Sequence, residues 1–214
     1  MAGKRRKSKE SPKAWRLFEA EAAYAESMLR SAIGDMKACI AAAERALKLK
    51  PDYPPAVLTM GSIEYQRGRE ADGARLFGTL PSLPDEFGDL WKVIDEAGDF
   101  LIQRRRYAEA LALYEAAVAR FPDRAVLYQG LGCCAGHEGL VEKAVKASQK
   151  AFDLEPDRQE LTNDLGWSLF QAGRLEEAEA VLLRAVALDP ADELASENLR
   201  RCQAARSKAD ASGQ

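Results

Sequence analysis

The 214-residue sequence contains a single histidine, His137. A site built from several imidazoles is therefore excluded, and nucleophile–histidine chemistry has one base to draw on. Charged residues make up 30% of the chain and are scattered along it, so no apolar run reaches the roughly 18 residues that a membrane-spanning helix needs. The four cysteines, Cys39, Cys133, Cys134 and Cys202, include no C-x-x-C pair. Cys133 and Cys134 would diverge on a helix, so reduced thiols in an intracellular setting are expected. The N-terminal basic residues are not followed by the apolar stretch of about 7–15 residues that marks an export signal, which points to the cytoplasm. No metal and no cofactor is expected.

What the chain does have is a period. Pro122, Pro156 and Pro190 are 34 residues apart, as are Ala110, Ala144 and Ala178, and Ala117, Ala151 and Ala185. Gly34 and Gly68 keep the same step, whereas Gly68 to Gly139 and Gly61 to Gly132 are both 71, two periods and three residues more. Two glycine rulers thus place one three-residue insertion in the proline-bearing segment Leu80–Leu90. Five units follow, 20–53, 54–87, 91–124, 125–158 and 159–192, with 88–90 inserted and a cap over 193–205. Each unit reads as two helices joined by a short turn. In the last, Leu165, Leu169, Ala178, Leu182, Leu183 and Val186 have helical spacing, interrupted at Ala172–Gly173, and Asp189–Pro190 ends the pattern. Gly132, Gly166, Ala144 and Ala178 fall where paired helices approach closest. Ser11–Pro12 is a helix-start signal, so the first helix is expected near residue 12. Residues 1–13 and 206–214 are expected to be disordered tails.

Thr162-x₂-Leu165-Gly166-x₂-Leu169, then Ala178-x₃-Leu182, then Pro190 resembles the tetratricopeptide repeat family, with its aromatic positions replaced. The resemblance is plainest in the third to fifth units; in the first, Glu26–Ser27 stands in for Leu–Gly. It implies an all-α, right-handed superhelical solenoid, acting as a non-catalytic scaffold or adaptor that holds a partner's peptide or helix in a concave groove. The family's groove positions fall on Tyr24, Met28, Leu58, Ser62, Tyr65, Gln66, Lys92, Asp95, Asp99, Gln103, Gln129, Cys133, His137, Asn163, Trp167, Phe170 and Gln171. Gln66, Gln103, His137 and Gln171 would form a polar row able to donate to and accept from an extended backbone. Asn163 with Trp167 and Phe170 has the composition of an interface hot spot, the alternative being that Trp167 or Phe170 packs on a neighbouring helix. The family's clamp for acidic chaperone tails matches only at Lys92, and Asp95, Asp99 and Asp164 stand where it needs cations. A basic or neutral partner is expected instead.

Cys133 and His137, four apart on one helix, have the spacing of a thiolate–base pair or a ligand pair. Catalysis and metal binding are nevertheless not expected, because an orienting group, an oxyanion site and further ligands are lacking. The tail run Lys4-Arg5-Arg6-Lys7, with Lys9 and Lys13 against Glu10, divides the net charge of −3 into +5 on residues 1–13 and −8 on the rest. A solubilising tail is one reading. A weak, salt-sensitive nucleic-acid contact, making the chain a nucleic-acid-associated adaptor, is the alternative. Self-association through an uncovered end is left open, as is the oligomeric state.

Overall fold

The computed structural model describes residues 12–86 and 88–212. The run Lys4, Arg5, Arg6 and Lys7 and the expected cap Ser11 lie outside the described residues. Within them the fold is all-α: α1 (Pro12–Ala32), α2 (Met36–Leu49), α3 (Pro54–Gln66), α4 (Glu70–Thr79), α5 (Leu90–Gln103), α6 (Tyr107–Arg120), α7 (Ala125–His137), α8 (Val141–Leu154), α9 (Gln159–Gln171), α10 (Leu175–Leu188) and α11 (Glu193–Ser212). A 3-10 turn over Leu80–Ser82 precedes the loop that carries the insertion. No described helix is long and apolar enough to cross a membrane.

Consecutive helices pack as antiparallel pairs: α1 on α2, α3 on α4, α7 on α8 and α9 on α10, with α11 on α10. The chain forms two compact bodies, one ending at Val93 and one beginning at Ile94. In the first, Cys39, Ala43, Met60 and Ile63 form one core and Ala23, Ala46, Tyr53 and Ala56 another. In the second, Val145, Leu165, Leu169, Leu182 and Cys202 form the core on which α11 closes.

The 34-residue period is visible in the turns. Gly34, Gly68, Gly139 and Gly173 all have φ between 72° and 78°, and in each case the next amide donates to the carbonyl five residues back, at 2.8–3.0 Å. This is the left-handed helix ending that glycine adopts without steric cost. The third pair places Arg105 there, at φ 59°, with Arg106 N donating to the Leu101 carbonyl at 2.9 Å.

The period is visible again between the helices of each pair. A Cβ on Gly61 would lie 2.3 Å from the Phe77 ring, on Gly98 2.3 Å from the Tyr114 ring, on Gly132 2.8 Å from Ser148 Oγ, and on Gly166 2.6 Å from Leu182 Cγ. Each glycine thus admits the residue sixteen positions later. In the first pair Ser27 holds the glycine's place, fully buried, and its hydroxyl donates to the Cys39 carbonyl at 2.9 Å.

The C-terminal helix differs from expectation. It does not give way to a loose tail at residue 206 but runs to Ser212. The reason lies in α10: Glu179 accepts from Gln203 Nε2 at 3.1 Å and pairs with Arg206, so α11 is tied down on both sides of its predicted end.

Candidate functional site

In the first body, Gln66 is exposed at the end of α3, but Tyr65 is not a groove residue. It is 5% exposed, its ring 5.5 Å from that of Phe77, because Gly73 on α4 leaves a slot that its ring fills; a Cβ on Gly73 would sit 2.5 Å from Tyr65 Cδ2. A cavity of about 280 Å³ in this body lies elsewhere, among Tyr53, Pro54, Pro55 and Pro84. Its polar groups are occupied in holding the insertion loop. Lys50 Nζ binds Asp52 at 3.0 Å and Glu86 at 3.3 Å, Asp85 accepts from the Leu90 amide at 3.0 Å, and Asp89 pairs with Lys92 at 2.8 Å.

In the second body, two acidic residues of α5, Asp95 and Asp99, converge on one buried hydroxyl. Tyr114, fully buried on α6, donates to Asp95 Oδ1 at 3.1 Å and lies 3.5 Å from Asp99 Oδ1. Its ring is wedged between two helices, since Cβ atoms on Gly98 and Gly130 would lie 2.3 and 2.2 Å from Cζ. Burial, with the neighbouring Asp99 charge, pushes the Asp95 carboxyl up to about 6 despite the tyrosine hydrogen bond. Burial raises Asp99 as well. Gln103 is exposed at the end of α5.

Four of the expected residues line one cleft. Cys133 and His137 from α7 and Trp167 and Gln171 from α9 surround a cavity of about 160 Å³, with Gly132, Gly136 and Asp164 in its walls and Ser148 and Ser168 at its floor. The floor serines share a buried hydrogen bond at 2.9 Å. Gln129, half-buried on α7, donates to Asp164 Oδ2 at 2.7 Å and so spans the two helices at one end of the cleft. Burial raises the Asp164 carboxyl too, and this hydrogen bond only partly offsets it. The His137 ring stacks on Tyr107, 3.9 Å between centroids and 9° from parallel, which fixes the imidazole as a wall.

Two expected groove residues face away from the cleft. Asn163 is 4% exposed, and its side-chain carbonyl accepts from Asn198 Nδ2 of α11 at 3.0 Å. The capping helix has therefore covered it. Phe170 packs on the Leu165–Leu169–Leu182 core, with its ring 5.2 Å from that of Trp167; of the two aromatics, only Trp167 reaches the cleft.

Asp164 is among the acidic positions expected from the sequence, whereas Tyr107, the Ser148–Ser168 floor and Asn198 are not. Asp164 had a readable signal, since it stands where the family's clamp needs a cation. Asn198 had none within the repeat, because it lies beyond the last period.

Partial desolvation, together with the Asp164 and Asp99 carboxylates, raises the Cys133 thiol, which is the reverse of nucleophile activation. Among the described residues no group of three or more metal-binding side chains assembles. The cleft offers an indole face, a carboxylate, an imidazole wall and an amide.

Tetratricopeptide repeat family models match residues 20–53, 96–151 and 137–201 of the chain. The TPR repeat-containing protein YpiA of Bacillus subtilis (strain 168) is 27% identical over 165 residues, covering 75% of this chain and 38% of YpiA, so the chain spans well under half the length of that curated relative. Among solved structures, MamA 41-end from Desulfovibrio magneticus RS-1 matches with a TM-score of 0.59 at 20% identity, over 82% of this chain and 97% of that one. YrrB, a TPR protein with an unusual peptide-binding site, matches with a TM-score of 0.61 at 18% identity, over 87% and 97%.

Proposed function

Because the chain belongs to the tetratricopeptide repeat family, we propose that it is a protein-interaction scaffold whose second body captures a lysine- or arginine-bearing segment of a partner in the cleft between α7 and α9. The observation that carries this reading is a set of carboxylates raised by burial that make no ion pair, the Arg158 charge acting on Asp95 and Asp164 only from farther off. Asp95, Asp99 and Asp164 are all raised by burial, and none forms an ion pair among the described residues. Elsewhere in the chain such pairs are plentiful, as at Arg174–Glu177 and Arg200–Glu197, both 2.6 Å. An incoming cation offsets the desolvation of a carboxylate and favours its ionised form. Trp167 adds a face that attracts the same cation through its ring quadrupole, and Gln171 offers a donor and an acceptor to the segment's backbone. Peptide capture has a precedent on this fold in YrrB.

The test is fluorescence anisotropy of labelled peptides titrated with the full chain, comparing lysine/arginine-bearing with glutamate-bearing sequences, followed by Trp167→Ala and Asp164→Asn. Basic peptides should bind and acidic ones should not. Trp167→Ala should cost about 2 kcal/mol, roughly thirtyfold in Kd, with helical circular dichroism unchanged. Equal binding of both peptide classes, or an unaltered Kd in the folded Trp167→Ala chain, defeats the reading.

A further inference from the structure

Most of the large apolar side chains left exposed among the described residues crowd into one place. Trp15, Phe18, Met28, Leu29, Ile33 and Met36 lie between residues 15 and 36, whereas Leu140, Leu183, Leu188 and Leu194 are spread along the second body. The crowding has a helical geometry. α1 buries Ala20, Ala23 and Ser27 on the side that packs on α2. On its opposite side Trp15, Phe18, Ala22, Ala25, Leu29 and Ala32 are all exposed. They recur at alternating steps of three and four, the spacing of a seam that feeds a helix–helix contact. A surface helix needs one apolar stripe to join its own core; α1 has two.

The chain ahead of Pro12, MAGKRRKSKES, has only Met1 and Ala2 as apolar side chains and is unsuited to covering this seam. The seam is instead complementary to itself. If a second α1 lies antiparallel with Ala22 facing Ala25, then Phe18 faces Leu29 and Trp15 faces Ala32 beside Ile33. Small residues meet at the centre, letting the helices approach, and a ring meets a smaller side chain toward each end. A parallel pair would bring both copies' Trp15 and Phe18 together at one end and splay the helices there. Trp15, Phe18, Leu29 and Ile33, 53% to 65% exposed, together with the exposed alanines between them leave on the order of 500 Å² of apolar surface per copy, taking aromatic side chains at about 150–250 Å² each. Two such faces bury about 1,000 Å², the lower bound for a specific interface.

We infer that the outer face of α1 is a two-fold interface, occupied by the same face of a second copy of this chain running antiparallel. The contact is apolar rather than ionic. Glu19 and Glu26 lie along one edge, and Glu26 is already held by Arg45 at 2.5 Å and Arg30 at 3.7 Å. Screening by salt therefore leaves the pairing intact.

Sedimentation equilibrium of the full chain tests this. The expected mass is twice 23.5 kDa, and Phe18→Glu or Leu29→Glu, at side chains 60% and 63% exposed, should return the single-chain mass with unchanged helical circular dichroism. The direction is read by disulfide trapping in a Cys133→Ser background, because Cys133 is the exposed native thiol. A mixture of Ala22→Cys and Ala25→Cys chains should cross-link faster than either alone. A chain that is monomeric at every concentration overturns the inference and assigns the face to a different protein. A dimer that survives both glutamate substitutions overturns it by placing the contact elsewhere. Faster cross-linking of Ala22→Cys by itself overturns the antiparallel order.

Discussion

The third and fourth helix pairs use the same two repeat positions, sixteen residues apart, to opposite ends. In the third, Tyr114 enters between Gly98 and Gly130 and closes the space completely, its hydroxyl drawing in Asp95 and Asp99. In the fourth, Ser148 stands opposite Gly132, and the space above it is the cleft walled by Cys133, His137 and Trp167. What opens a pocket on this fold is therefore not the residue that faces the groove. It is the size of the second-helix residue beneath it.

The largest effect that tests this contrast is expected at Gly130. Gly130→Ala puts a methyl group 2.2 Å from a ring that has nowhere to go, and should destabilise the chain by roughly 2 kcal/mol in urea unfolding, overpacking outweighing the gain in helix propensity. Gly136→Ala, on the same helix but lining the cleft, meets only Gln171 Oε1 at 3.4 Å and should be neutral or stabilising. Equal losses at the two sites would erase the distinction between a closed and an open slot. Next comes the floor. Ser148→Ala strands the buried Ser168 hydroxyl and should cost about 1 kcal/mol, while Ser148→Ala with Ser168→Ala should cost no more than the single change, because both polar groups leave together.

The closed slot also carries a pH signature. Asp95 titrates near 6 in the folded chain against 3.8 ordinarily, so the folded state binds the proton more tightly than the unfolded one. Its contribution is favourable below pH 3.8 and is lost as pH rises through 6. Relative to Asp95→Asn, the wild-type melting temperature should therefore fall across that window; a constant difference between the two would contradict the burial of Asp95 beside Tyr114. The smallest effect is expected at Arg105. Arg105→Gly relieves a left-handed non-glycine residue and should stabilise by about 0.5–1 kcal/mol after the unfolded-state entropy of glycine is counted. A loss in thermal melting would mean that the arginine side chain makes up for its backbone.

The turns were legible in the sequence because they depend on one residue's backbone: Gly34, Gly68, Gly139 and Gly173 mark the period, and the arginine at 105 is the one place where the ruler has no glycine. The helix-pair contacts were legible for a related reason, since Gly132 and Gly166 are conspicuous at the 34-residue step. Cys133, His137, Trp167 and Gln171 come to line one cleft because their position around a first helix determines which way they point. Tyr65 and Asn163 are expected in the groove as well, at the twelfth and fifth positions of their units, but both are buried. Whether such a side chain stays in the groove depends on what a distant element leaves free or brings in, Gly73 in one case and Asn198 in the other. Neither dependence has a spacing that a repeat can reveal. The same limit applies to Asp95, whose partner Tyr114 lies nineteen residues away on another helix.

Either member of the Ser148–Ser168 pair can be the donor, which gives the cleft a property its walls lack. Rotating two hydroxyls reverses the direction of the hydrogen bond, so the floor can present a proton or a lone pair to whatever enters without moving a heavy atom. Such a floor tolerates chemically different side-chain tips. On the proposed reading, discrimination would then fall to Trp167 and Asp164, and a partner segment that changed its tip while keeping its charge would still be accepted.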